Sequence, residues 1–554
     1  MNTNSNYDGS GYTIEDFIAI LGAWKAKEGA NNRDSTINLS NSRSIIWDIN
    51  IILSKIFSYT DFEDLVEFNT VNKRWNSLIN PIIHTNLKVL RSKAIRNKIY
   101  SKGLKKSEII DAEAAECISI NSKISHFIKE FTYSKKLSLE RTIGFFETFK
   151  FITRLNISLV EICINQLLYI LKPLFKLQEL DITALKIKES PKNTIYESAV
   201  QLPPTLKILK LTRINTTNNS ELFIQTLNSH TDLVEFNFDT CDRNDYLDPF
   251  IKNYPSLKSL KYFSTWLENP QPLCLIAEFN PQLLNLKLEI GVWNNELTTK
   301  ISRNLVNLRK FALFDSSEFM QNQSLIFLKF FQATNIINLD LHWANLSHCS
   351  LNSILANCPN LEELSLIKTV IHSPESTSLS LSIPNSANLR KLSIFCTTLS
   401  ESSLDSILSN SPNLIELEIQ LPEEWEGWAN SIGKRLKNLE KLSIYPDDSL
   451  EEEGIETFHV DFCYKELIES SSIYKSTLTT LTLNTCNFQE TSVNIFDQFK
   501  KLKTIQFAVS DSSYISEIDI DYLNDSYWPH YKAIPLYFDE TVIGIDLVKI
   551  DILS

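Results

Sequence analysis

"SLNSILANCPNLEELSL" (350–366) returns as "SLDSILSNSPNLIELEI" (403–419), matching at most positions 53 residues later. Between them "NLRKLSIFC" (388–396) repeats the second half alone, so the offset covers two units of about 26 residues each. Every unit ends in a core of the form LxxLxL. The first apolar position of that core falls at Ile128, Ile152, Leu177, Leu206, Leu233, Leu257, Leu283, Leu308, Ile336, Leu361, Leu389, Leu414, Leu439, Leu478 and Leu502. These fifteen cores follow one another at a mean spacing of about 27 residues.

Two periodicities share each unit. In "ELSLI" (363–367) apolar and polar residues alternate, as a half-buried strand requires. Upstream, Leu404, Ile407 and Leu408 stand at i, i+3 and i+4, a helical stripe. The Asn-Pro or Pro-Asn steps between stripe and core end the helix. One strand and one short helix cannot bury an apolar face alone, so the units must stack. The expected fold is α/β: a solenoid with a curved parallel sheet inside and helices outside. The units resemble leucine-rich repeats of the 26-residue, cysteine-containing kind over residues 125–510, about 15 units. Cys358, Cys241 and Cys486 stand where that family often places a buried cysteine. The interval from Leu439 to Leu478 is 39 residues long and holds an acidic insertion, "DDSLEEEGIE" (447–456).

A different pattern precedes the repeats, at 44–90. Ile49, Ile52, Leu53 and Ile56 fall on one helical face. Thr60 or Asp61 can cap a second helix whose first turn carries Glu63 and Asp64, with Leu65 and Phe68 as its stripe. A third helix places Val71, Trp75, Leu78 and Ile79 on one side and is expected to close at Pro81. Three short helices make a very small core, one that gains much from a partner. Ile51 lies off the first helix's stripe and, with Phe57, favours a partner surface. "ILSKIFSY" (52–59), "DL" (64–65) and "VNKRWNSLI" (71–79) make this segment resemble the F-box, the helical motif that docks onto the small adaptor of SCF-type cullin-RING ubiquitin ligases. The usual Leu-Pro opening is here Asp48-Ile49.

The remaining parts are a segment at 1–43, partly disordered with a short helix at 13–25, a basic helical linker at 91–124 and a C-terminal cap at 511–554. From Lys88 to Lys106 the chain carries eight cations and no anion, the composition of a solvated linker helix.

Composition excludes several function classes. Eleven glycines in 554 residues, with no GxGxxG or GxxxxGK[ST], argue against a phosphate-cradling loop. Nine scattered cysteines without a CxxC or CxxH, and eight histidines without an HExxH, argue against a metal centre, and no cofactor is expected. The start of the chain has neither a basic nor an apolar leader region, and no run of 18 apolar residues occurs. The expected setting is therefore cytoplasmic or nuclear, with reduced cysteines and no membrane span. Residues 151–554 hold 33 basic against 50 acidic residues, which argues against nucleic acid as the main ligand and toward a protein target with a basic surface.

Within each core the fourth and sixth residues point inward, so the third, fifth and seventh face the concave side. Fifteen strands about 4.8 Å apart give an edge on the order of 70 Å, enough for a protein target. The seventh position carries Phe263, Phe314, His342, Phe395 and Tyr445 in the middle of the array. These are candidate target-binding residues, unless they curl into the rim and pack on neighbouring loops.

By resemblance, the chain is a non-catalytic subunit of an SCF-type ubiquitin ligase. Its adaptor-binding residues are then Ile49, Ile51, Ile52, Leu53, Ile56, Phe57, Leu65 and Trp75, with Trp75 serving mainly the bundle's own core. Its partners are the adaptor, through it a cullin, and the target. The alternative is a ligase-independent scaffold in which the helical segment merely ends the array.

Overall fold

The computed structural model describes residues 50, 52–87, 106–188, 199–216, 221–240, 250–264, 269–290, 293–315, 330–342, 345–367, 370–372, 388–396, 399–422, 425–445, 473–484, 493–508, 528, 530–538 and 541–550. The fold is mixed α/β, a large and mostly parallel sheet with helices. The chain divides into two compact units, Met1–Asn86 and Leu87–Ser554. Among the described residues no helix is long and apolar enough to cross a membrane. Ile49, Ile51, Cys241, Cys486, the helix expected at 13–25, the basic run up to residue 105 and the acidic insertion lie outside the described residues.

In the first unit, helices at 52–57, Phe62–Phe68 and Lys73–Ile83 enclose a core of Leu53, Phe57, Leu65 and Ile79. Phe57, Phe68 and Trp75 form an aromatic triangle with centroids 5.2–6.3 Å apart, two of its three contacts edge-to-face. That is the favoured geometry for rings carrying a quadrupole. Leu53 of the expected stripe is buried, but Phe57 is buried in place of Ile52 and Ile56. Trp75 and Phe68 recruit the larger ring of Phe57, leaving Ile52 exposed and Ile56 half-buried. Asn72 caps the third helix by accepting from the Trp75 amide at 2.9 Å. Pro81 does not stop this helix, which runs on to Ile83, and Val71 is exposed rather than part of its buried side. Proline is disfavoured only where its missing N–H and its ring disturb a preceding turn that must continue intact, and here the helix is already in its last turn.

In the second unit all fifteen core leucine and isoleucine positions are buried, and a parallel strand begins two residues after each. The strands run from Glu130–Tyr133 and Arg154–Ser158 to Thr480–Asn484 and Thr504–Ala508. Register is in phase, with Leu339 opposite Leu364 and Leu341 opposite Leu366, then Leu392 opposite Leu417 and Ile394 opposite Ile419. Each fourth and sixth residue therefore stacks on its counterpart in the next repeat, and each such burial contributes about 1.5–3 kcal/mol. The helix stripe forms as expected: in Glu401–Ser409, Leu404, Ile407 and Leu408 are buried, and Ser400 caps the helix by accepting from the Ser403 amide. Ser347 does the same for His348–Ala356. Cys358 is buried in the core, and burial pushes its thiol up to about 11.

After the seventh position the chain turns sharply. Leu159, Ala184 and Arg213 occupy the left-handed region at φ near 50°, at the same place in three successive repeats. Their amides donate to the next strand, at Thr183 O, Thr212 O and Asp239 O. At the C-terminal end, Thr541–Lys549 pairs antiparallel with Thr504–Ala508, and Tyr531–Phe538 pairs antiparallel with Thr541–Lys549. This hairpin covers the edge that the last repeat would otherwise leave open.

Candidate binding surfaces

Strand alternation settles which way the seventh-position rings point. Phe263, Phe314, His342, Phe395 and Tyr445 are all half-buried, while their neighbours at the fourth and sixth positions are buried on the opposite face. The rings pack on one another along the open face of the sheet. Phe314 stacks on His342 at 4.2 Å between centroids, and Phe395 leans across one strand to reach Tyr445 at 4.8 Å. Gln420, from the strand between, is buried beneath that second pair. The Lys287 ammonium lies 4.2 Å from the Phe314 centroid and 5.3 Å from that of Phe263. Each is a cation–π contact.

Reading position seven for rings alone passes over the acids between them. Across five consecutive strands the position reads Asp239, Phe263, Glu289, Phe314, His342, and His342 in turn pairs with Asp340 at 2.6 Å. Burial pushes the Glu289 carboxyl above the usual range and the Asp239 charge adds to this, against the pull of Lys287. A second charged group lies at positions three and five. Lys391 contacts Glu416 at 2.6 Å and Glu418 at 3.1 Å, and Lys441 approaches Glu416 at 3.5 Å. Burial pushes Glu416 up, but the two lysines together hold it below the usual carboxylate range. Opposite charges on facing strands at these positions are the sequence signal for this network.

The first unit exposes several large apolar side chains. Ile52 is 57% exposed, Tyr59 77%, Phe62 63% and Val71 58%, in a bundle whose core holds four buried side chains among the described residues. Of the residues expected to hold an adaptor, Ile52 is exposed and Ile56 half-buried. Leu53, Phe57 and Leu65 are interior instead, and Trp75 is half-buried against them. They serve the bundle's own core, because a core this small needs every large side chain it has.

No family model and no curated protein matches the chain. Among solved structures it is similar to the complex of Rad7 and Elc1 in yeast, with 14% identity over 74% of this chain and 94% of that one and a TM-score of 0.32. It is also similar to the TLR13–ssRNA13 complex, with 14% identity, 68% of this chain, 74% of that one and a TM-score of 0.26.

Proposed function

We propose that the chain is the target-recognition subunit of an SCF-type ubiquitin ligase, an F-box joined to a leucine-rich-repeat solenoid. The carrying observation is the pairing of a minimal helical bundle, rich in exposed apolar side chains, with a long sheet whose open face carries packed aromatic and charged side chains. Exposed apolar side chains on so small a core are poorly explained by monomer stability and well explained by a docking partner. In this reading the bundle holds the adaptor and, through it, a cullin, and the open face holds a protein target. Catalysis is by proximity, the target's lysines being held near a ubiquitin-charged enzyme, with no covalent step on this chain.

The test is retention of the purified adaptor by the full chain, beside an Ile52→Lys/Phe62→Lys double variant. Both positions are exposed, so the variant keeps the bundle folded while placing charge in the docking face. Retention by the parent and loss in the variant is expected. If the parent retains no adaptor, the ligase reading fails and the scaffold reading replaces it, with an array that unfolds when residues 45–79 are removed.

A further inference from the structure

In six later repeats, the residue just before the core's first apolar position uses a polar side chain to tie its loop to the preceding repeat. Thr205 donates to Leu177 O, Gln282 to Tyr254 O, Asn335 to Val306 O, Asn388 to Pro359 O, Asn438 to Pro412 O and Thr477 to Leu439 O, at 2.7–3.3 Å. The first three repeats replace the small polar residue with larger side chains. The same position is Phe127, Phe151 and Lys176, and Lys150 and Phe175 stand one residue earlier in the second and third.

What replaces the ladder is a platform of two rings ringed by cations. Phe151 and Phe175 meet edge-to-face at 5.8 Å, and Phe175 is 49% exposed. The ammonium groups of Lys129, Lys150 and Lys176 lie 5.6, 6.0 and 5.2 Å from the Phe151 centroid, and Lys176 also reaches Phe175 at 5.8 Å. Burial, then the neighbouring Lys176 charge, pull the Lys129 ammonium below its usual range. The ring pair and the cation–π contacts stabilise the platform, but like charges gathered on one ring repel and the exposed Phe175 costs solubility. An anionic occupant reverses both costs at once.

We propose that Lys129, Lys150, Lys176, Phe151 and Phe175 form a docking site for an acidic segment of a partner protein, carboxylates over the lysines and an apolar or aromatic side chain on the rings. The site shares no residue with either surface of the proposed function and does not depend on that reading. A peptide fits better than a nucleic acid, because three lysines beside two rings span a short anionic motif, whereas a strand needs a cationic track several nucleotides long. The chain's net charge of −13 would repel a long polyanion beyond the patch.

The experiment is fluorescence anisotropy of the full chain with three labelled probes: a decapeptide alternating Glu and Phe, the same peptide with Ser for Phe, and a ten-nucleotide oligouridylate. The Glu/Phe peptide is expected to bind saturably, about tenfold more weakly in Lys150→Glu/Lys176→Glu, and more weakly at high salt. The Ser peptide and Phe175→Ser should each show a several-fold loss. The three substituted residues, Lys150, Lys176 and Phe175, are all exposed, so the variants should melt with the parent, which separates lost binding from lost folding. No saturable peptide binding, binding indifferent to these substitutions, or tighter oligouridylate binding through the same lysines would each overturn the proposal.

Discussion

Phe311 and Phe314 lie three residues apart on one strand, Lys310–Asp315, and truncating each to alanine separates a core ring from a surface ring. Phe311 is fully buried in the main core. Its loss removes the transfer energy of a whole ring and leaves a cavity, about 3–5 kcal/mol. Phe314 is half-buried on the other face, and its named partners are His342 at 4.2 Å and Lys287 at 4.2 Å. An aromatic pair contributes about 0.5–1.5 kcal/mol beyond area. A largely solvated cation–π contact adds about 0.5–1 kcal/mol. Since the two share one ring and are not additive, Phe314→Ala should cost about 1–2 kcal/mol, clearly less than Phe311→Ala. Urea unfolding of the full chain, followed by far-UV circular dichroism, reads this as two midpoint shifts. They are best compared with each other, because a repeat array need not unfold in one step. If the rings are binding anchors, Phe314→Ala and Phe395→Ala should weaken target binding on the order of 2 kcal/mol, about thirtyfold. A midpoint shift for Phe314→Ala as large as that for Phe311→Ala would refute the reasoning, since it would make the row an extension of the core.

The buried Gln166 amide nitrogen lies 2.8 Å from Leu137 O, 2.9 Å from Thr142 Oγ1 and 3.2 Å from the Tyr133 hydroxyl, and its two N–H groups are shared among these acceptors. Gln166→Leu keeps the volume but takes the side-chain donor from Leu137 O, so a loss of about 1–3 kcal/mol is expected in the unfolding midpoint, and a neutral result would refute the network's role. Arg435 grips Asp405 with two bonds of 3.0 and 3.1 Å, and that hydrogen bonding holds the Asp405 carboxyl below its ordinary 3.8. A carboxylate with a depressed folded pKa stabilises above its unfolded value and loses that as pH falls through the folded one. Both side chains are more than a third exposed, so Arg435→Met should cost only about 0.5 kcal/mol at pH 7, a gap that closes as pH drops below 3.8. Leu159, 78% exposed at φ 53°, should be replaced with profit by asparagine, which tolerates the left-handed region; a rise of about 0.5–1 kcal/mol is expected, and a loss would mean the leucine makes an unseen contact.

The repeat's strands were legible because they depend on local information only. A period of two followed by a fixed step to the next unit determines which leucines are buried, and the fourth and sixth positions of every core obey it. The open face is less legible because its contacts join residues from different repeats. Phe395 reaches Tyr445 across Gln420, and Lys287 serves rings on both flanking strands, so neither follows from one unit read alone. In the first helix of the bundle Leu53 is buried as expected, but Phe57 takes the interior place expected for Ile56. The choice between Ile56 and Phe57 was made by Phe68 and Trp75 from the other helices. The same logic explains why the cationic platform escapes a reading for leucines. Its residues sit at loop positions where the repeat pattern is silent, and they stand out only once the later repeats show what a loop without a partner does there: it uses Asn, Thr or Gln to hold its neighbour. The position carries a loop-tying hydrogen bond in six later repeats, whereas in the second and third repeats it carries Phe151 and Lys176 beside Lys150 and the exposed Phe175, so there the loops present rings and cations to an occupant instead of holding a neighbour.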